Sequence, residues 1–331
     1  VTGLRIWQEG AVRLEYHGGR WTGGDAAALA RMLATTAVDP EAVMDVEVIC
    51  GPGMPLTSPL PHPTSAAAVT AEAGAARGPG LFFRPGDGSP VDLWGLHRGG
   101  TVFLCLNGPS FDEETRLLLE HRPGVVTFCV NNGGHGFRPD LWTCMDAPER
   151  FMGSIWRDGR ITKFVPAEHL NGPTVRDDGE GPRVSDCPNV WGYWRNDHFH
   201  AARFLSEGTV NWGNHKSRGG GRSVMLAALR ISWELGFRRV VLVGCDFEMS
   251  PRRRYWFPED RTEQAIRNNR NTYGILRGFF RELVPVFAAA GLEVVNATPG
   301  SGLEVFPRVD LLAELRRARL STAATTQGMY R

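Results

Sequence analysis

Lysine is nearly missing from this chain: Lys163 and Lys216 stand alone among 37 basic residues, and the rest are arginine. With 36 acidic residues the formal charge is +1, so no overall cationic field argues for a nucleic-acid or membrane partner, and such a partner would need a local patch. The arginine bias fits GC-rich coding as well as it fits a need for planar, bidentate phosphate contacts. The six cysteines include no CxxC pair and are too sparse for a disulfide scaffold. Cys105, Cys129 and Cys245 lie in apolar runs, where a free thiol acts as a small hydrophobe, and a reducing compartment is expected. No apolar stretch approaches the roughly 20 residues that span a bilayer, and VTGLRIWQEG carries no signal-peptide core. A soluble, cytoplasmic protein without a membrane span is expected. Internal repeats are also lacking.

What is there suits a globular α/β protein: 331 residues, 42% hydrophobic and 22% charged, enough for one large domain with an appendage. Residues 1–50 read as a small appendage, with strands at 4–7 and 12–16 and a helix at 25–35. Residues 51–95, rich in Pro, Gly and Ala, read as a linker, and 321–331 as a tail. Between them, residues 96–320 alternate apolar runs with helices. TVFLCL (101–106), a helix at 111–120, VVTFCV (125–130), a helix at 222–235 closed by Gly236, RVVLVGCD (239–246), a helix at 272–290 closed by Gly291, LEVVN (292–296) and a helix at 309–319 follow in turn. Runs apolar on both faces predict a mostly parallel sheet with helices on both sides, a Rossmann-like arrangement. The interval 156–212 has little periodicity and reads as an irregular insertion over a site.

In such sheets ligands bind at the carboxyl ends of the strands. The first strand ends in Asn107-Gly108-Pro109-Ser110 before a helix, which makes this loop a candidate phosphate or nucleotide cradle. A turn with a capping serine accounts for the same residues. It is neither a GxGxxG fingerprint nor a P-loop. The second strand ends in Asn131-Asn132, whose amides offer both donor and acceptor to a base or ribose. RPDLWTCMD then ends in Asp146, suited to a ribose hydroxyl, a divalent ion or a plain turn.

The segments FLCLNGPSF, FCVNNGGHGF, RPDLWTCMD and GGGRSVMLAALRISWELGFRRVVLVGCDF together resemble the family 42 bacterial sialyltransferases and the related domain-of-unknown-function 115 proteins. The latter include flagellin-modifying glycosyltransferases and an archaeal hydroxymethylpterin pyrophosphokinase. The resemblance spans residues 101–315, about two thirds of the chain. It implies a sialyltransferase-like fold in which Asn107, Gly108, Ser110 and Asn131 contact a nucleotide. The family's small-residue turn corresponds to Ser217–Ser223 here, which adds Gly220, Gly221 and Ser223, and Asp246 closes the site. In this family tyrosines after that strand hold the donor phosphates, which points to Arg252 to Arg254 and Tyr255. The family's general-base histidine has no counterpart in EQAIRNNRNTY (263–273). Of the histidines that precede the glycine turn, His198, His200 and His215, the last is the favoured base, with Asp197 or Asp246 as substitutes.

The implied activity is transfer of a sugar from a CMP-, UDP- or GDP-linked donor to a hydroxyl of a glycan or protein. No metal ligand is required, although magnesium is compatible with Asp146 or Asp246 and a diphosphate. Three alternatives stay open: transfer to hydroxymethylated bases in DNA, an ATP-dependent pyrophosphokinase of the hydroxymethylpterin type, and a nucleotide-binding protein without activity. Oligomeric state is open as well.

Overall fold

The computed structural model describes residues 5–9, 12–17, 20–22 and 80–321, apart from 121–123, 176–180, 251–253 and 259–261. The expected helix at 25–35, most of the expected linker, Arg252, Arg253 and the tail beyond 321 lie outside the described residues. The chain divides into two compact units, Val1–His62 and Pro63–Arg331. In the first, β1 (Arg5–Glu9) and β2 (Val12–His17) pair antiparallel as the alternating pattern predicts. A third strand, β3 (Arg20–Thr22), extends the expected hairpin into a meander.

The second unit is built on a nine-stranded sheet. Its strands are β4 (Phe82–Phe83), β5 (Pro90–Val91), β6 (Thr101–Cys105), β7 (Val126–Val130), β8 (Leu141–Thr143), β9 (Thr162–Pro166), β10 (Val190–Tyr193), β15 (Arg239–Val243) and β16 (Glu293–Asn296). Short pairs outside it are β11 (Arg195–Asn196) with β12 (Val210–Asn211), and β13 (Gly213–Asn214) with β14 (Gly221–Arg222). The order across the sheet is β16-β15-β6-β7-β8-β9-β10-β4-β5. Every pair from β16 to β10 is parallel, and β4 and β5 close one edge antiparallel.

Alternation along the strands feeds two cores. Val102 and Leu104 join Leu226, Leu229, Phe280 and Phe287 on one face, under α3 (Val224–Glu234) and α4 (Glu263–Ala290). Phe103 and Cys105 join Leu119, Trp156 and Leu315 on the other, under α1 (Glu113–Leu119), α2 (Gly153–Arg157) and α5 (Leu311–Ser321). The strands are therefore mostly apolar because both sides are covered. An α/β architecture with helices on both faces of a mostly parallel sheet is the result.

Three sequence readings need correction. The interval 156–212 is not an irregular insertion: it supplies β9 and β10, two strands of the parallel sheet. The reason is Lys163, which breaks the apolar run of β9 yet is buried, its Nζ donating to the carbonyls of Asp158 (2.8 Å), Ile161 (3.0 Å) and Pro188 (2.7 Å). The linker reading for 51–95 likewise fails at its end, because β4 and β5 belong to the sheet. Helix α4 also begins a good two turns before the expected residue 272, at an N-cap Thr262 whose hydroxyl accepts from Ala265 N. Its Asn-rich start buries only Ile266, which is too little to register as an amphipathic pattern.

Across β15 and α5 runs a buried ionic tie. Arg239 donates to both carboxylate oxygens of Glu314 at 2.7 and 2.8 Å and also pairs with Glu293. These contacts hold the Glu293 carboxyl below the usual range.

Candidate functional site

From β6 the chain steps outward through β7, β8, β9 and β10, then returns by α3 to β15 on the other side of β6. The loops leaving β6 and β15 therefore diverge, and the crevice between them is the switch point where open parallel sheets bind ligands. Asn107–Ser110 and Asp246, chosen from distant parts of the sequence, meet there. Asp246 Oδ2 accepts from Ser110 Oγ at 2.6 Å and from Ser110 N at 3.2 Å. Gly108 N donates to Gly244 O at 2.9 Å, and a Cβ on Gly108 would collide with that carbonyl and with the Asp246 carboxylate, so only glycine fits.

The cradle is thus closed by the protein's own carboxylate. Both Ser110 donors expected to face a phosphate point at Asp246 instead. The start of α1 is capped by Asp112, whose Oδ1 accepts from Thr115 N at 2.9 Å, and Glu113 and Glu114 follow, so its dipole is already neutralised. The open space lies beside this loop: a cleft of about 480 Å³ bounded by Ser110, Thr115, Gly244, Thr298, Arg308 and Asp310, with Pro109 on the adjoining turn. Thr298 Oγ1 accepts from Cys245 N at 2.8 Å, and Arg308 is anchored by one bond to Ser301 O at 2.6 Å.

Above Asn107 the segment 254–257 folds back onto the loop. Trp256 N donates to Asn107 O at 3.3 Å, its ring sits edge-on to Phe111, and the Arg116 guanidinium lies 4.4 Å from its centre. Asn107 Oδ1 and Trp256 Nε1, an acceptor and a donor, are both buried and make no hydrogen bond among the described residues. Unpaired buried polar atoms are costly, so an acceptor and a donor left open where two loops meet make this a candidate ligand contact. Tyr255 stacks on Phe257 with ring centres 5.1 Å apart, and Arg254 precedes it in the same segment.

Further along the carboxyl edge the ends of β7, β8 and β10 are joined by polar contacts. Asn131 adopts a left-handed φ of 47°, and its Oδ1 accepts from Met145 N at 3.2 Å. Its side chain is thereby engaged in positioning the end of β8. Asn132 follows in the same 3-10 turn, half-buried. Met145 O in turn accepts from Arg195 Nη1 at 3.2 Å. Asp146 is exposed and paired with Arg150 at 3.5 Å.

The glycine turn is a hairpin tip. β13 and β14 pair antiparallel, and Gly220 and Gly221 take φ of 55° and 124°, backbone conformations that favour glycine. His215 is exposed on that tip, its Nδ1 2.9 Å from Ser217 Oγ, and it is not among the residues bounding the cleft. His198 meets Arg218 at 2.8 Å and stacks on His200. Ser223 caps α3, its Oγ accepting from Met225 N at 3.1 Å. The structure thus brings Asn107, Gly108, Ser110 and Asp246 together, and puts His215, Gly220 and Gly221 on a separate hairpin.

Sequence reasoning missed Thr298 and Arg308. Thr298 follows the last strand and the carboxyl-end rule would have found it, whereas nothing local marks Arg308. Among the described residues no three His, Cys, Asp or Glu side chains converge as a metal site, and no helix is long and apolar enough to cross a membrane. Of the two carboxylates compatible with magnesium, Asp146 pairs with Arg150 and Asp246 with Ser110. Comparison with protein-family models, with characterised proteins and with solved structures finds no match to this chain.

Proposed function

We propose that the protein is a glycosyltransferase that takes a nucleotide-activated sugar in the crevice between β6 and β15. The observation that carries this reading is the cleft itself. At about 480 Å³ it has the size of a small-molecule site, it lies at the switch point, and it offers the Thr115 and Thr298 hydroxyls together with the Arg308 cation. Asn107 and Trp256, with an unpaired acceptor and donor, would bind the nucleoside's polar edge. Arg308 would stabilise the departing phosphate, since a guanidinium matches two of its oxygens. In the transfer step the acceptor oxygen bonds to the anomeric carbon, the bond from that carbon to the phosphate oxygen breaks, and the acceptor proton passes to a base. Asp246 is better placed for this than His215, because it borders the crevice through Ser110 whereas His215 sits on the exposed hairpin. Positioning and leaving-group electrostatics would supply most of the rate. A CMP-, UDP- or GDP-sugar is the donor class, and a glycan, protein or hydroxymethylated DNA hydroxyl the acceptor class.

A second reading is favoured by the lock between Asp246 and Ser110: a protein that binds nucleotide without turnover. The test is thermal unfolding with nucleotides and nucleotide sugars. A ligand at a hundred times its dissociation constant stabilises the fold by about 2.7 kcal/mol. A shift with one nucleotide sugar, lost in Asn107→Ala, supports the donor site, and release of free nucleotide supports transfer. Binding without release favours the second reading, whereas a shift with ATP and magnesium followed by AMP release would replace both with a pyrophosphokinase. No shift with any of them would remove the proposal.

A further inference from the structure

At the far end of the same sheet edge, two arginines share one indole. The Arg195 guanidinium lies 4.2 Å from the centre of the Trp212 ring and that of Arg222 lies 4.5 Å from it. Arg195 is only 14% exposed and spends its charge on Glu168 and its Nη1 on Met145. Arg222 makes no hydrogen bond or ion pair from its guanidinium among the described residues. Stacking thus fixes the plane of Arg222 while leaving its N–H groups unused.

Two guanidinium groups fixed on one indole, one of them with its charge uncompensated, offer a receptor for an oxyanion, because the forked donors of Arg match a phosphate or carboxylate. The elements that hold them are anchored independently. Arg195 opens β11 directly after β10, and Arg222 ends β14 directly before the capped start of α3. Trp212 is tied between them, its carbonyl accepting from Ser223 N at 2.7 Å. The site is therefore built before any ligand arrives.

We infer that Arg195, Trp212 and Arg222 form a subsite for an oxyanion group, a phosphate ester or a sugar carboxylate, on a molecule bound along the carboxyl edge. Neither Arg195 nor Arg222 is among the residues bounding the cleft between β6 and β15, so the two places are distinct. That the anion belongs to the acceptor rests on the transferase reading; the subsite itself does not.

The test uses the full chain and inorganic phosphate, with sodium acetate as a second arm, at ionic strength held constant with chloride. Thermal unfolding of the wild type is compared with Arg222→Met, Arg222→Lys and Arg203→Met, the last an exposed arginine outside the cluster. The expected result is a saturable rise in Tm with one of the two anions, with apparent affinity at least tenfold weaker in Arg222→Met, intermediate in Arg222→Lys and unchanged in Arg203→Met. A phosphate response assigns a phosphate ester and an acetate response a carboxylate. Absence of a saturable rise in the wild type, or equal affinity in Arg222→Met, overturns the inference. Should Arg222→Met fail to fold, Arg222→Lys decides alone, since it keeps the charge and loses the planar fork. Asn107→Ala separates this inference from the proposed activity: it would abolish the nucleotide-sugar response and leave the anion response intact.

Discussion

Replacing Lys163 with methionine sets two large effects against each other. The ammonium is buried in β9 and satisfies three carbonyls, at 2.8, 3.0 and 2.7 Å. Hydrogen bonds from a charged group contribute about 2 kcal/mol each, so about 6 kcal/mol of interaction disappears with the nitrogen. Against this stands the cost of holding the charge out of water. Burial pulls the lysine pKa down to about 8 from 10.5, a penalty of about 3 kcal/mol that methionine does not carry. The hydrogen bonds win, because methionine relieves the charge but leaves three carbonyls facing a thioether. A net loss of about 3 kcal/mol is expected, which lowers Tm by about 6 to 12 °C for a domain of this size. Urea unfolding followed by circular dichroism measures it directly. A variant as stable as the wild type, with an unchanged denaturant slope, would refute the reasoning by showing that desolvation cancels the bonds.

Other outcomes follow from the same contacts. Arg239→Leu strands the buried Glu314 carboxylate and should cost about 3 to 5 kcal/mol, and adding Glu314→Leu should recover most of it; denaturant midpoints of the single and double variants decide. His97 stacks on Phe237, and burial holds its pKa at about 4. The unfolded chain takes up that proton first, so stability is full above pH 6.5 and falls as the pH drops toward 4, by about 3 kcal/mol. His97→Phe should flatten that part of the stability profile, and an identical pH dependence in the two proteins would count against it. Gly108→Ala should lower Tm and abolish ligand-induced stabilisation together, since its Cβ collides with Asp246 and Gly244; a variant that keeps nucleotide binding would show that the loop can open.

The parts of the fold legible in the sequence are those whose burial is uniform. β6, β7 and β15 are apolar on both faces and stood out at once, and Gly236 and Gly291, with φ of 91° and 70°, marked their helix ends. β9 and β10 were lost because Lys163 looks like a surface residue until its three carbonyls are seen. The candidate site divides the same way. Asn107 and Ser110 follow from a rule about strand ends and Asp246 from the family resemblance, and the structure joins them. The seating of Trp256 on Phe111, and of two arginines on Trp212, depends on loops distant in sequence that no spacing reveals. The glycines at 219–221 suggested room for a ligand, but their positive φ values serve the hairpin.

One edge of the sheet ends in β5, only two residues long, running against its neighbour and beginning with Pro90. A parallel sheet left open at β10 would offer its unpaired backbone groups to any passing extended chain. The β4–β5 pair covers that row, and a proline without an N–H, on a strand too short to template another, leaves little for a further strand to grip. Self-association by strand addition is thereby discouraged at this margin, and removing Pro90 would be the most direct way to invite it.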